Sequence, residues 1–327
     1  MQRIALPGLV LSVLVASLAG CGASDQAQAA AESTQPAATV TVSDAQGRTV
    51  EVPVNPEVVV ATDWSVIRTL TDLGIEVDAV PQSPGALPED LQQYADGGQA
   101  AIVGTLFEPD YEAINALEPD LIIVGSRTGT PEVVAEMEKI TPHVVDLSTR
   151  FDATTEQIPA TRTRVEQLGE IFDKHDDAID LMDAVDTDVA ATAEQVTADG
   201  STAAFVQVSG GTVSAYGPGS RFGIVYDVFG YRDTGAAVDP TADHGAEVSQ
   251  EFFQQYNPGA LLVLDRAATI GSEGEASAMQ VLDNDLVTTT DAARNDRIQV
   301  VDGFSWYIAP AAPTSLTQIS SDVRASL

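Results

Sequence analysis

The sequence predicts an α/β protein built as two three-layer α/β lobes joined by a long rigid connecting helix, with a ligand cleft between the lobes. Three observations predict it. Short apolar runs of strand length alternate with helical patterns from Val58 to Val145, and the alternation resumes from Ala203 to Val301. Between them, from Pro159 to Gly200, there is one internal glycine, Gly169, and no further proline. Finally, one layout occurs twice. Glu112 to Arg127 reads as an acidic helix start, a turn at Pro119, the strand Leu121-Ile122-Ile123-Val124 and an arginine; Glu251 to Arg266 repeats it in identical register around Pro258 and Leu261-Leu262-Val263-Leu264. A chain of 327 residues is long enough for two such units, and a cleft between similar lobes is where a small ligand normally sits. Each lobe would then contribute one cation to it.

The elements follow in order. Residues 1–20 have the form of an export leader: Arg3 gives a positive start, and Ile4 to Leu18 is an apolar stretch too short for a comfortable membrane span. Leu18-Ala19-Gly20-Cys21 resembles the lipobox of bacterial lipoproteins, which implies acylation of Cys21 and cleavage before it. Cys21 is the only cysteine, so it has no disulfide partner, and lipid attachment would anchor the protein to a membrane. Residues 21–40, rich in Ala, Ser, Gln and Pro, read as a flexible tether.

The N-terminal lobe spans 41–152. It opens on a hairpin around Asp44-Ala45-Gln46-Gly47, followed by the strand Val58–Ala61, a helix from Ser65 to Leu73 stopped by Gly74, and the strand Val77–Val80. A helix beginning near Asp110, the strand Leu121–Val124, a helix from Pro131 to Ile140 and the strand Val144-Val145 complete it. The interlobe helix occupies 153–173, with Thr154 and Gln157 at capping-box spacing and Val165, Leu168 and Phe172 on one face. The C-terminal lobe spans 174–327: a helix to about Val196, the strand Ala203–Val208, a helix near Phe222–Phe229, the strands Leu261–Leu264 and Ile298–Val301, and a last helix from Pro313 to about Ala325.

Charge narrows the function. A net charge of −34 repels nucleic acid and anionic lipid, and the only lysines are Lys139 and Lys174. Arginines in loops beside a cleft therefore stand out as specific anion contacts. Gly-x-Ser-x-Gly, His-Glu-x-x-His and Gly-rich phosphate-loop motifs are absent, which argues against an exported hydrolase, and three scattered histidines argue against a free-metal receptor.

The stretch Val103-Gly104-Thr105-Leu106-Phe107-Glu108-Pro109-Asp110-Tyr111-Glu112, with Tyr216-Gly217-Pro218-Gly219-Ser220-Arg221, His244-Gly245, Leu264-Asp265-Arg266 and Trp306-Tyr307, resembles substrate-binding lipoproteins of iron-siderophore ABC importers. The resemblance is to the branch that takes ferric catecholates such as petrobactin, and it runs from about Thr41 to the C-terminus. It implies a two-lobed, monomeric, extracytoplasmic receptor without enzymatic activity or cofactor, whose ligand is a ferric siderophore and whose partner is an ABC importer permease. It further implies that Arg127, Arg221 and Arg266 surround the anionic iron complex, and that Glu112 and Glu251, one per lobe, dock onto the permease. His244 and Tyr307 match the pair that reaches iron directly when the siderophore is tetradentate. Guanidinium suits a trianionic tris-catecholate, since it offers planar donors and is weakly hydrated. Ile308-Ala309-Pro310 departs from the small glycines usual after this tyrosine. Ferric citrate, haem and cobalamin remain alternative cargoes, cobalamin being disfavoured by the arginine triad.

Overall fold

The computed structural model describes residues 38–95, 98–242 and 244–327. The leader, Cys21 and all but the last residues of the tether lie outside the described residues.

Strands β1 (Thr39–Ser43) and β2 (Thr49–Pro53) form the antiparallel hairpin expected around Asp44–Gly47. The chain then lays down β3 (Val59–Ala61), α1 (Trp64–Asp72), β4 (Ala79–Val80), β5 (Ala101–Ile102), α2 (Tyr111–Ala116), β6 (Leu121–Val124), α3 (Pro131–Met137) and β7 (Val144–Asp146). The strands make a parallel sheet in the order β5-β4-β3-β6-β7. Helix α1 starts where Asp63 caps it and ends before Gly74, whose φ of 73° suits only glycine comfortably.

Helix α4 (Gln157–Ile171) leads into α5 (His175–Asp199), which Gly200 terminates at φ 68°. The expected capping box does not form. Thr154 turns instead to donate its hydroxyl hydrogen to Asp227, because the first turn, Thr154–Glu156, is a tight three-residue coil. The second half contains β8 (Thr202–Ser209), β9 (Thr212–Tyr216), α6 (Ile224–Asp227), β10 (Arg232–Asp233), β11 (Ala246–Val248), α7 (Glu251–Tyr256) and β12 (Ala260–Asp265). Short helices α8 (Arg266–Thr269), α9 (Ala278–Leu282), α10 (Asp285–Thr288) and α11 (Asp291–Arg294) precede β13 (Ile298–Val300); α12 (Pro313–Ala325) closes the chain. This sheet runs β11-β9-β8-β12-β13 and is mixed, since β9 pairs antiparallel with both β8 and β11. The helix expected over Phe222–Phe229 shrinks to α6, flanked by turns at Gly223 and Gly230.

Alternation along each strand sets the layers. In the first sheet Val60, Ile122 and Val124 face α2 and α3, packing with Ile114, Val134 and Met137, while Val59, Ala61, Leu121 and Ile123 face the other way. In the second, Val206, Leu261 and Val263 pack against Phe253 and Leu282, and Phe205, Leu262 and Leu264 point inward. The inward faces share one continuous core with α1, α4, α5 and α12. Trp64, which by sequence could line the cleft or equally join the core, is fully buried there and meets Phe304 edge-on at 5.9 Å.

Candidate functional site

The twice-used layout folds alike in both halves. Helix α2 leads into β6 and on to Arg127; helix α7 leads into β12 and on to Arg266. Strand β6 lies between β3 and β7, and β12 lies between β8 and β13, so both arginines leave the C-terminal end of a strand deep within its sheet. Glu112 and Glu251 are exposed in the first turns of these helices. Donation by the Ser249 hydroxyl, then by its own N–H, holds the Glu251 carboxyl below the ordinary glutamate value.

Arg127 is carried by a tightly braced loop. Thr128 Oγ1 shares a hydrogen with Thr62 Oγ1 at 2.7 Å and reaches Gly125 O at 3.0 Å. Arg150 donates to Gly129 O at 2.6 Å and to the buried Asp146 carboxylate at 3.0 Å. A Cβ on Gly129 would come within 2.6 Å of Asp146 Oδ1, so only glycine lets the loop approach this closely. The Arg127 guanidinium lies 5.3 Å from the ring centre of Phe107, an exposed aromatic that sequence reading placed only within a motif.

On the opposite side Arg221 and Arg266 flank Tyr307. Arg221 sits 4.3 Å over the Tyr307 ring and donates to its carbonyl at 3.2 Å; Arg266 donates through Nε to the phenol oxygen at 3.1 Å. Tyr307 lies in a π-turn over Phe304–Ile308, a wide coil of a kind found often at functional sites. Beneath, Phe205 stacks on Phe222 at 4.4 Å and packs against Trp306 at 5.1 Å, with Tyr216 edge-on to Phe222 at 4.8 Å. This aromatic floor fixes Arg221, 5.4 Å from Phe222. Its guanidinium remains open to water yet is walled by protein, and partial desolvation, with repulsion from Arg127 adding to it, pulls its pKa down. Ser126, the residue before Arg127, lines one pocket with Arg221, so the two loops approach each other.

Electrostatics at the centre favour anions. Burial alone would raise the Tyr307 phenol. The Arg266 hydrogen bond and the two nearby guanidiniums outweigh it and set the phenol below the ordinary tyrosine value. Elsewhere seven arginines meet a carboxylate: Arg48 with Asp44, Arg68 with Asp90, Arg150 with Asp146, Arg162 with Asp186, Arg294 with Asp291, Arg297 with Asp199 and Arg324 with Asp188, while Arg164 and Arg232 donate only to neutral oxygens. Among the described residues no ion pair involves Arg127, Arg221 or Arg266. In a chain with 49 acidic and 15 basic residues, two guanidiniums gathered on one tyrosine with no carboxylate between them are a strong asymmetry. An anion from outside would complete them.

His244 is exposed in the turn before β11, makes no hydrogen bond among the described residues, and neighbours Gly245, which packs against the Tyr216 ring of the aromatic floor. His143 contacts Glu51 O through Nδ1 at 2.8 Å, and His175 begins α5. The proline-bearing segment after Tyr307 lines a pocket of about 200 Å³ with Pro310 and Ala311, shared with Arg221, Trp306 and Asp63. Sequence reading passed over that pocket, although Asp63 before the apolar run of α1 carried a helix-cap signal.

Comparison with known proteins agrees with this architecture. A family model described as periplasmic binding protein matches residues 59–303. The petrobactin-binding protein YclQ of Bacillus subtilis is 33% identical over 85% of this chain and 84% of its own length. The YclQ crystal structure covers 88% of this chain and 98% of its own with a TM-score of 0.78 at 31% identity. The ferric-anguibactin-binding protein FatB of Vibrio anguillarum is 29% identical over 82% of this chain and 81% of its own. The catecholate-siderophore binding protein VctP of Vibrio cholerae aligns over 88% of this chain and 100% of its own, with TM-score 0.79 and 30% identity. With most of its length matched by the family model and by a relative of this identity, the chain belongs to the periplasmic binding protein family.

Proposed function

We propose that this protein is a receptor that captures a ferric siderophore, of the catecholate type, and delivers it to an ABC importer for iron uptake. The observation that carries the reading is the pair Arg221 and Arg266 gathered on Tyr307, with Arg127 following β6 of the other sheet, none of the three in an ion pair among the described residues of a strongly acidic chain. A tris-catecholate around ferric iron is trianionic, with crowded acceptor oxygens; guanidiniums from either side would meet it with charge-assisted hydrogen bonds. The YclQ, FatB and VctP names point to the same ligand class.

In this reading Arg127, Arg221 and Arg266 hold the complex, and Tyr307, already biased toward phenolate, completes the iron's coordination together with His244 when the siderophore supplies only four donors. The lobes, 41–152 and 174–327 about the helix at 153–173, close only modestly, because one core runs through both. Glu112 and Glu251 present one carboxylate per lobe to the permease, and Cys21 carries the lipid that keeps a monomeric receptor outside the cytoplasm. The role is binding, not catalysis. Charge reversal at Glu112 and Glu251 together should abolish uptake while leaving ligand affinity unchanged; unchanged uptake would remove their docking role.

Tryptophan fluorescence separates the cargoes, since Trp306 lies in the aromatic floor. Titration with ferric catecholates should quench it at micromolar concentrations or below, and ferric citrate, haem and cobalamin should not. Absence of quenching by every catecholate would refute the reading; stronger quenching by one of the other cargoes would reassign the ligand.

A further inference from the structure

The most exposed large apolar side chain among the described residues stands at the C-terminal edge of the first sheet, the edge from which Arg127 emerges. Phe107 is 74% exposed, against 45% or less for Ile102, Phe151, Met279 and Val300. A single exposed apolar residue needs no explanation in itself. Phe107 differs in how firmly it is held. Thr105 Oγ1 accepts the N–H groups of Phe107 at 3.2 Å and Glu108 at 3.1 Å, and the Thr105 N–H donates to Glu108 O at 3.0 Å. Gly104, at φ 88°, bridges to Pro109, and a Cβ there would come within 2.3 Å of Glu108 O. The turn is closed by its own hydrogen bonds, so it presents the ring outward with little backbone freedom left to lose on binding.

A second observation says what the ring faces. The Arg127 guanidinium lies 5.3 Å from its centre and makes no hydrogen bond or ion pair among the described residues. Asp63 attracts that charge only at longer range. The phenyl contact orients the cation without supplying an acceptor, so the N–H donors still lack oxygens. In the second half, Phe205, Phe222 and Trp306 are buried and Tyr307 is flanked by two arginines, which leaves Phe107 with the largest open aromatic face. We propose that Phe107 is a ligand-binding residue that selects aromatic siderophores: one catecholate ring of the iron complex packs against the phenyl while oxygens of the same complex accept from Arg127. The inference deepens the receptor reading above and rests on it. A planar ring packed offset or edge-on to a phenyl gains more than an aliphatic group of equal area. An iron complex built from aliphatic carboxylates would still meet the Arg127 charge, but it would gain nothing comparable from the ring.

The probe is a ferric tris-catecholate carrying 2,3-dihydroxybenzoyl groups, with its gallium counterpart for fluorescence. Phe107→Leu keeps apolar bulk and removes the ring. It should bind the ferric complex about threefold to tenfold more weakly than the wild type, the range of an aromatic pair, and melt near the wild-type temperature. Phe107→Trp restores a ring and should bind within about twofold of the wild type, a factor worth under ~0.5 kcal/mol. Its new indole, open to acrylamide in the free protein, should become shielded when the gallium complex binds; Trp64 and Trp306 are buried and contribute little to that signal. Wild-type affinity in Phe107→Leu would overturn the inference while leaving the receptor reading in place, and lost iron uptake alongside it would assign the ring to the permease instead. An indole as accessible with the complex as without it would overturn the inference too, as would a fall in melting temperature that accounts for the lost affinity. Failure of the wild type to bind the complex would overturn the receptor reading and this inference with it.

Discussion

Arg221→Ala separates affinity from stability. In the ligand-free protein Arg221 makes one hydrogen bond, to Tyr307 O at 3.2 Å, and lies over the rings of Tyr307 and Phe222. It has no carboxylate partner, and Arg127 repels it. Truncation loses a cation–π contact of about 0.5–1 kcal/mol and a solvent-accessible hydrogen bond, and it relieves desolvation and like-charge repulsion. The net change in folding stability should therefore stay within about 1 kcal/mol of zero. Ligand binding is different. There the side chain would give a charge-assisted hydrogen bond to the iron complex, worth about 1.5–3 kcal/mol, so affinity should fall roughly 10- to 150-fold. Quenching of Trp306 by a ferric catecholate reads the affinity, and urea unfolding reads the stability. Arg294→Ala, which removes a surface arginine near Asp291, is the control and should leave affinity unchanged. The reasoning fails if Arg221→Ala binds like the wild type, or if it loses several kcal/mol of stability and affinity together.

Other perturbations test other parts of the structure. Ultraviolet titration should show one of the seven tyrosines ionising below the ordinary value near 10, absent in Tyr307→Phe and moved upward in Arg266→Ala. Because the folded pKa is the lower one, this phenol adds stability only as pH rises from its folded value toward the ordinary one; a flat profile there in urea unfolding would contradict the assignment. An acidic receptor of net charge −34 repels an anionic ligand at long range, so the association rate should increase with salt; a decrease would mean that the local arginine field dominates capture. Arg68, almost fully buried, forks onto Asp90 and donates to Ser305 at 2.8 Å and Ser315 at 3.0 Å. Arg68→Met should cost about 3–5 kcal/mol and also weaken ligand binding, since Ser305 belongs to the turn that carries Tyr307; unaltered urea midpoint would refute this bracing.

The strands and the arginines that follow them were legible because their signals are local. Leu121–Val124 is an uninterrupted apolar run, Pro119 and Pro258 mark the turns before β6 and β12, and the arginine ends each copy. Strand β9 was missed although Gly210-Gly211 is a strong two-residue hairpin signal; both glycines take positive φ, 56° and 83°. Helices α8 to α11 are single turns or little more, too short to establish a period. Thr154 shows a second limit. Its spacing to Gln157 fits a capping box, but Asp227, distant in sequence, competes for the hydroxyl and wins. The pairing of Tyr307 with both arginines is a three-dimensional fact with no one-dimensional trace.

The return of the chain after β13 has a consequence for anyone recombining such receptors. The turn at Phe304–Ile308 and helix α12 leave the second sheet and pack against α1 and α5, with Thr314 hydrogen-bonded to Asp72 and Ser305 held by Arg68. A hybrid spliced only within α4 would bring a foreign tail against the first half and mismatch these contacts. A workable exchange needs a second crossover near Val300, so that the terminal segment travels with the front half of its own parent and only the middle of the molecule is transplanted.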